Sequence, residues 1–313
     1  MVASLQAPSC PLPSCAAPST RVFLDVTSEG GVASSWGVRT EEARIFECPA
    51  SGLRFRRAAP AERIAEFYGS EYHDRMAGGP DDARRTAAYR QENEARVRFL
   101  ERFASRGRVL DVGCSTGLFA SQLRDAGWDA MGSDISAYAC EKTRELLGKD
   151  KVFEGSVEAM APKFVGAFDA VTLMDVIEHF EDVVNPLRAI LSMLRPGAVL
   201  FLRTPTLSSP FYALADLSYR LSAGRYKDAV LKIYHAEHFY FFNERSIRRL
   251  LEHLGFEVLA IEPDPLIWSN FRTAELRHGP AVNAALAAAY FTGRMAHRGH
   301  GMKVVARKPS GRP

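Results

Sequence analysis

At 313 residues the chain is too long for one small domain and comfortable for one large α/β domain with an appendage. Hydrophobic residues at 47%, charged residues at 25% and a net charge of +3 are ordinary globular values with no strong nucleic-acid signal. No apolar run reaches the ~18 residues of a membrane span, no basic start leads into an apolar export core, and five cysteines argue for reduced thiols in the cytoplasm.

Residues 1–20 are rich in Pro, Ser and Ala, carry Cys10 and Cys15, and read as a loose arm. Residues 21–26 and 43–47 read as short strands parted by the turn-rich Ser28-Glu29-Gly30-Gly31. Cys48-Pro49-Ala50-Ser51-Gly52-Leu53-Arg54-Phe55 follows, then helical spacing over 61–72. Residues 81–104 predict a long polar helix, with Val97, Leu100 and Phe103 on the side that covers a sheet edge. Its Arg84-Arg85 pair reads as a solvated face.

Val109-Leu110-Asp111-Val112 predicts a buried parallel strand. The run Gly113-Cys114-Ser115-Thr116-Gly117 then makes a tight turn, and Leu118 opens a helix. Strand, glycine turn and helix N-terminus together form a nucleotide-binding corner. A dinucleotide fingerprint would need glycine at 115 and 118, where Ser115 and Leu118 stand, and the P-loop triplet is absent. A second strand, 128–132, ends at Ser133-Asp134, about 20 residues past the first glycine, where an acid accepts hydrogen bonds from ribose hydroxyls. Asp134 is read as a ligand group whose loss leaves the free protein's stability unchanged. Ile135 and Ser136 lead into a helix through Leu147, with Ser136 as N-cap. A third strand, 151–154, leaves at Gly155-Ser156-Val157-Glu158.

The fourth strand, 168–174, ends in Met174 and is followed by Asp175, Glu178 and His179. A helix over 186–194 is stopped by Arg195-Pro196-Gly197, and a fifth strand spans 198–202 before Thr204-Pro205. Residues 208–234 form an aromatic-rich insertion with one or two amphipathic helices, read as a lid that packs over substrate. Then comes Tyr234-His235-Ala236-Glu237-His238-Phe239-Tyr240-Phe241-Phe242, a plausible substrate wall. A sixth strand lies at 257–262, and the last, 302–307, is inserted antiparallel. The Ala-rich helix near 281–289 has no assigned role, and the tail from Lys308 reads as disordered.

The Asp-x-Gly-x-Ser-x-Gly motif resembles motif I of the class I S-adenosylmethionine methyltransferases, with Ser115 in place of the middle glycine. Together with Phe168-Asp169-Ala170-Val171, Asp175-Val176-Ile177-Glu178-His179 and Leu194-Arg195-Pro196-Gly197, it resembles the subset that includes ubiquinone-pathway and other small-molecule O-methyltransferases. The resemblance covers roughly residues 95–260. It implies an α/β fold: a Rossmann-like, mostly parallel seven-stranded sheet with helices on both faces. Residues 81–313 form that domain, with the lid at 208–234, and residues 1–80 are an appendage. It implies S-adenosyl-L-methionine as cofactor, held by Asp111, Gly113, Cys114, Ser115, Gly117, Asp134, Ile135, Ser156, Val157 and Met174. An Asp is usual where Ser156 stands, so recognition of the adenine falls to the Val157 backbone and an apolar slot.

Three readings of Asp175, Glu178 and His179 stay open. Some relatives bind a divalent metal with an acid-x-x-Glu-His arrangement; His179 as general base and a purely structural loop are the others. His238 is the stronger candidate for the base, with His179 second, and no metal is expected. The leader resembles the cysteine-rich leader of some bacterial methyltransferases, where two C-x-x-C pairs hold zinc. Ser51 replaces the fourth cysteine and Cys10 and Cys15 are spaced irregularly, so it reads as a metal-free relic. The expected function is methyl transfer to a hydroxyl of a small molecule such as a quinone or phenol, sugar or secondary metabolite. A noncatalytic cofactor-binding protein and a nucleic-acid methyltransferase are the alternatives.

Overall fold

The computed structural model describes residues 8–13, 15, 20–25, 32–33, 39–40, 44–56, 83–223, 233–235, 237–265 and 280–311. The expected helix over 61–72, the Arg84 and Arg85 side chains and most of the second half of the lid lie outside the described residues.

Strands β1 (Arg21–Asp25), β2 (Arg44–Glu47) and β3 (Arg54–Phe55) come from the leader. Helix α1 (Ala83–Leu100) precedes the core strand β4 (Arg108–Val112) and α2 (Leu118–Asp125). Then follow β5 (Asp129–Asp134), α3 (Ala137–Leu147), β6 (Val152–Glu154), β7 (Phe168–Met174) and α4 (Val184–Met193). Strand β8 (Leu194–Pro205) is followed by α5 (Pro210–Leu221), β9 (Tyr240–Phe241), α6 (Glu244–His253), β10 (Glu257–Asp264), α7 (Pro280–Met295) and β11 (Gly301–Arg307).

The central sheet has the order β10-β11-β8-β7-β4-β5-β6, parallel from β8 to β6, with β11 antiparallel to both its neighbours. This is the expected seven-stranded α/β sheet. The carboxyl ends of β4, β5, β7 and β8 therefore open at one edge, where ligands bind in open α/β sheets. Strands buried on both faces need continuous apolar runs, and Phe168, Val171, Leu173, Leu200 and Leu202 supply them. Each such side chain contributes about 1.5–3 kcal/mol on burial.

Several expectations need correction. The expected helix stop at Arg195-Pro196-Gly197 holds, since α4 ends at Met193, but β8 starts earlier than expected, at Leu194, and a register shift between Leu194 and Val199 takes up the residues between. Helix α1 covers a sheet face, since Val97, Phe99 and Leu100 pack with Val109, Phe119 and Phe201. Lys308 is ordered, its N–H bonded to Ala198 and its carbonyl to the Gly197 N–H. The start of the leader is packed as well: Leu12 is 1% exposed in the main core.

The leader is joined to the rest of the chain by strand pairing. Its sheet runs β1-β2-β3-β9, with Phe55 opposite Tyr240. The Ala-rich helix α7 also gains a place, since Leu286, Ala289 and Tyr290 pack on Phe211 and Leu214 of α5.

Candidate active site

The glycine loop leaves β4 with Gly113 at φ +67°, and Gly117 at φ +81° caps α2. A Cβ on Gly113 would sit 2.5 Å from Val176 Cγ2, so only glycine lets the segment after β7 close over the loop. The Gly113 and Cys114 N–H groups both donate to the Ser133 carbonyl. The Ser115 N–H donates to Asp134 Oδ2 at 2.9 Å, and the Ser136 N–H to Asp134 Oδ1 at 2.9 Å. Asp134 thus clamps the glycine loop to the start of α3, which Ser136 caps by accepting from the Ala139 N–H. Its two oxygens retain further lone pairs for a ligand.

The other expected cofactor residues divide by where they sit. Asp111 is buried under the loop and accepts from Thr172 Oγ1 at 2.7 Å; burial pushes its carboxyl up to about 7. The Cys114 thiol turns inward, 3.5 Å from Thr143 Oγ1. Ile135 stands 53% exposed beside Asp134, an apolar group open for a planar ring. Ser156 spends its hydroxyl on the Ala159 N–H, and the Val157 side chain is buried in the core. Met174 is half-buried at the end of β7.

Asp175 follows directly with φ +57°, a left-handed conformation unusual for a non-glycine residue. Its carboxylate pairs with Arg203 of β8. Arg203 also reaches Asp264 at 3.1 Å, and Arg96 reaches the same carboxylate at 2.8 Å. This Arg96–Asp264–Arg203–Asp175 chain, buried up to its half-exposed Asp175 end, fixes the end of β8 against β7. Sequence reading missed Arg203, although a charge inside the apolar run Leu200 to Thr204 signals a buried partner.

Glu178 is 1% exposed and accepts from Thr204 Oγ1 at 2.9 Å, while its Oε1 has no hydrogen-bond partner. Burial, with Asp175 nearby, pushes its carboxyl up to about 8. Its carbonyl accepts from the Phe239 N–H at 2.8 Å, and that bond lays the His238 segment on the 177–179 turn. His179 Nδ1 lies 3.2 Å from the Glu237 carbonyl. His238 packs edge-on against His179, with ring centroids 4.6 Å apart, and its Nδ1 is buried without a partner. Burial pulls both imidazoles below their ordinary range, His238 furthest, with His179 and His235 adding to the effect there. Both rings are therefore neutral at pH 7 and able to accept a proton.

The metal reading of Asp175, Glu178 and His179 does not fit this geometry. Asp175 is committed to Arg203. The groups whose ligand atoms converge within 4.8 Å are Glu178, His179 and His238. One carboxyl and two imidazoles do not make the oxygen-rich shell that Mg²⁺ takes. In the leader, Cys10, Cys15 and Cys48 also converge within 4.8 Å, with Ser51 Oγ 3.9 Å from Cys10 Sγ. The Cys15 and Cys48 sulfurs are 3.2 Å apart. Two thiolates on a tetrahedral zinc stand about 3.8 Å apart for ~2.3 Å bonds. The cluster is a packed set of thiols and fits zinc poorly.

A family model described as "Methyltransferase domain" matches residues 83–261. The ubiquinone biosynthesis O-methyltransferase of Chromobacterium violaceum is 32% identical over 133 residues, covering 39% of this chain and 56% of that protein. The chain spans about half the length of the curated relatives it matches. Among solved structures, magnesium protoporphyrin IX methyltransferase from Synechocystis, with bound SAH, aligns at TM-score 0.53 and 15% identity, covering 79% of this chain and 99% of that one. The [4+2]-cyclase SpnF aligns at TM-score 0.52 and 20% identity, covering 82% and 99%. These structures share the fold.

Proposed function

The chain belongs to the methyltransferase-domain family, and from that premise we propose that it moves a methyl group from S-adenosylmethionine to a hydroxyl of a small molecule. What carries the reading is one juxtaposition at the carboxyl edge of the sheet. A glycine cradle clamped by Asp134 stands on one side of the segment after β7, and a neutral, buried His238 on the other. The kinship to an O-methyltransferase favours oxygen as the acceptor atom.

S-adenosylmethionine, when bound, supplies an electrophilic methyl on a sulfonium. Asp134 holds the ribose hydroxyls with the lone pairs its two backbone bonds leave over. Gly113, Ser115 and Gly117 let the backbone come close, and Asp111 supports the loop from below. Ile135 and the backbone of Ser156 and Val157 flank the adenine, while Cys114 anchors the loop inward and Met174 lines the floor. Lid helix α5, backed by α7, excludes water. Holding the acceptor oxygen in line provides ~7–11 kcal/mol of barrier lowering. His238 takes the hydroxyl proton as oxygen attacks, and His179, braced on the Glu237 carbonyl, orients it.

The reading gives the acceptor as a small organic molecule, and the net charge of +3 supplies no nucleic-acid footprint. No described helix is long and apolar enough to cross a membrane. Calorimetric titration with S-adenosylhomocysteine tests the cofactor half of the proposal. One molecule bound per chain is the expected result; no binding sinks it.

A further inference from the structure

The leader's three cysteines come from two places in the sequence and meet in one. Cys10 and Cys15 lie on either side of Leu12, which is 1% exposed in the main core, and the Cys15 N–H donates to the Leu12 carbonyl at 2.9 Å. Cys48 follows β2 in a turn closed by two backbone bonds, from the Cys48 N–H to the Leu53 carbonyl and from the Gly52 N–H to the Cys48 carbonyl. That turn is docked on the core. The Asn243 side chain, N-cap of α6, donates to the Gly52 carbonyl, and Arg249 Nη1 donates to the Ala50 carbonyl. Both cysteines thus stand on anchored backbone, and their sulfurs meet at 3.2 Å. A disulfide needs ~2.0 Å, about 1.2 Å less, a gap that side-chain rotation can close.

The thiols differ in what each can do. Cys15 is half-buried, so a small molecule reaches its sulfur, whereas Cys48 is fully buried and touches only its neighbours. Burial works to raise the Cys48 thiol, but hydrogen bonds from Ser51 and from the Cys15 and Cys10 thiols bring it down to about 7. Thiolate is therefore present at Cys48 near neutral pH, and thiolate is the nucleophile of disulfide exchange. Burial, with Cys48 beside it, pushes the Cys10 thiol up to about 12, so Cys10 stays protonated. Burial raises the Cys114 and Cys140 thiols in the same way. The close sulfurs and the Ser51 hydroxyl, which make the cluster a poor zinc site, suit it to sulfur chemistry instead.

We propose that Cys15 and Cys48 are an exchange site for small-molecule disulfides of the glutathione class, and that their own disulfide staples the start of the leader to the turn between β2 and β3. The Cys15 thiolate attacks one sulfur of glutathione disulfide, that S–S bond breaks, and the first glutathione leaves as thiolate. The Cys48 thiolate then attacks the Cys15 sulfur and expels the second. The two protein sulfurs lose two electrons, glutathione disulfide gains them, and the two thiol protons end on the two glutathiones. This site stands apart from the methyl-transfer reading and needs no cofactor.

The test takes the full chain, reduced with dithiothreitol in the presence of a chelator and desalted, and exposes it to glutathione disulfide at pH 7. Remaining thiols are then alkylated and the protein is mapped without reduction. Trypsin releases Cys10 and Cys15 together in residues 1–21 and Cys48 in residues 45–54, and fragmentation of the first peptide tells which of its cysteines is linked. The expected product joins the two peptides through Cys15, leaves Cys10, Cys114 and Cys140 alkylated, and reverts with dithiothreitol. Cys10→Ser should link within twofold of the wild-type rate. Cys15→Ser should be slowed at least tenfold, since only the protonated Cys10 thiol is left to pair with Cys48. In urea, where loop length decides, the link should shift to Cys10–Cys15. The inference is overturned by five free thiols after exposure, by glutathione that stays on Cys15 without a link, or by a folded chain that links Cys10. A Cys15→Ser variant that links at the wild-type rate, or a Cys15–Cys48 preference that persists in urea, overturns it too. So does zinc retained by the reduced chain, because metal-bound thiolates are not free to exchange.

Discussion

The rings of His179 and His238 meet edge to face, 4.6 Å between centroids and 88° between planes. One is braced by the Glu237 carbonyl, and the other keeps a buried nitrogen without a partner. In the proposed mechanism, orientation and proton transfer thus fall to different members of a neutral pair. General-base loss costs 10²–10⁴-fold in rate. His238→Ala should lower kcat within that range and leave cofactor affinity intact. A full-rate variant refutes the assignment, and a dead His179→Ala enzyme that still binds cofactor moves the role there.

The same pair sets the pH dependence. Burial favours the uncharged imidazole, so the reactive form of His238 persists below the ordinary histidine range near 6.5. The pH profile of kcat/KM should stay flat from pH 8 to below 6. An acid limb centred at 6.5 or above would contradict a desolvated base.

Asp134 serves two masters, and the expectation that it is dispensable for stability fails on its bonds to the Ser115 and Ser136 amides. Hydrogen bonds to a charged group contribute about 1.5–3 kcal/mol each. Asp134→Ala should weaken S-adenosylhomocysteine binding at least tenfold and also lower the melting temperature of the free protein by several degrees. Unaltered affinity in calorimetry removes Asp134 from the site; an unaltered melting temperature removes the clamp.

Glu178 offers a stability test with a definite sign. Burial pushes its carboxyl up to about 8, above the ordinary 4.5, so the folded chain holds a proton that the unfolded chain releases. The contribution is fully present below pH 4.5 and is lost as pH rises to about 8. Glu178→Gln cannot titrate and keeps the shape. Relative to wild type, its melting temperature should climb between pH 5 and 8. A constant difference across that range speaks against a protonated Glu178.

Much of this site was legible in the sequence, and the exceptions have a common cause. The βα alternation, the glycine loop, the Ser136 cap and the antiparallel last strand are local patterns, and the structure repeats them. Arg203 and Asp264 act through partners 28 to 168 residues away. No periodicity announces such pairs. The stop signal at Arg195-Pro196-Gly197 held, with α4 ending at Met193, whereas the early start of β8 depends on the tertiary pairing of Leu194 with Phe168. The leader's cysteines pointed to a relic from spacing alone, while the fold brings three thiols together around Ser51.

The leader should nonetheless be free of stoichiometric zinc, because a hydroxyl holds the fourth position and two sulfurs are too close for a shared ion. Elemental analysis of protein purified from zinc-supplemented medium checks this. One zinc per chain, lost in Cys48→Ala, would overturn it.

The central claim is methyl transfer to a small molecule. The most direct measurement incubates the protein with S-adenosylmethionine carrying a ¹³C-methyl group and an extract containing both metabolites and nucleic acid, followed by mass spectrometry of each fraction. Label is expected on oxygen in the small-molecule fraction, at a rate cut at least a hundredfold by His238→Ala. Label confined to nucleic acid, or cofactor that binds yet is never demethylated, would contradict it.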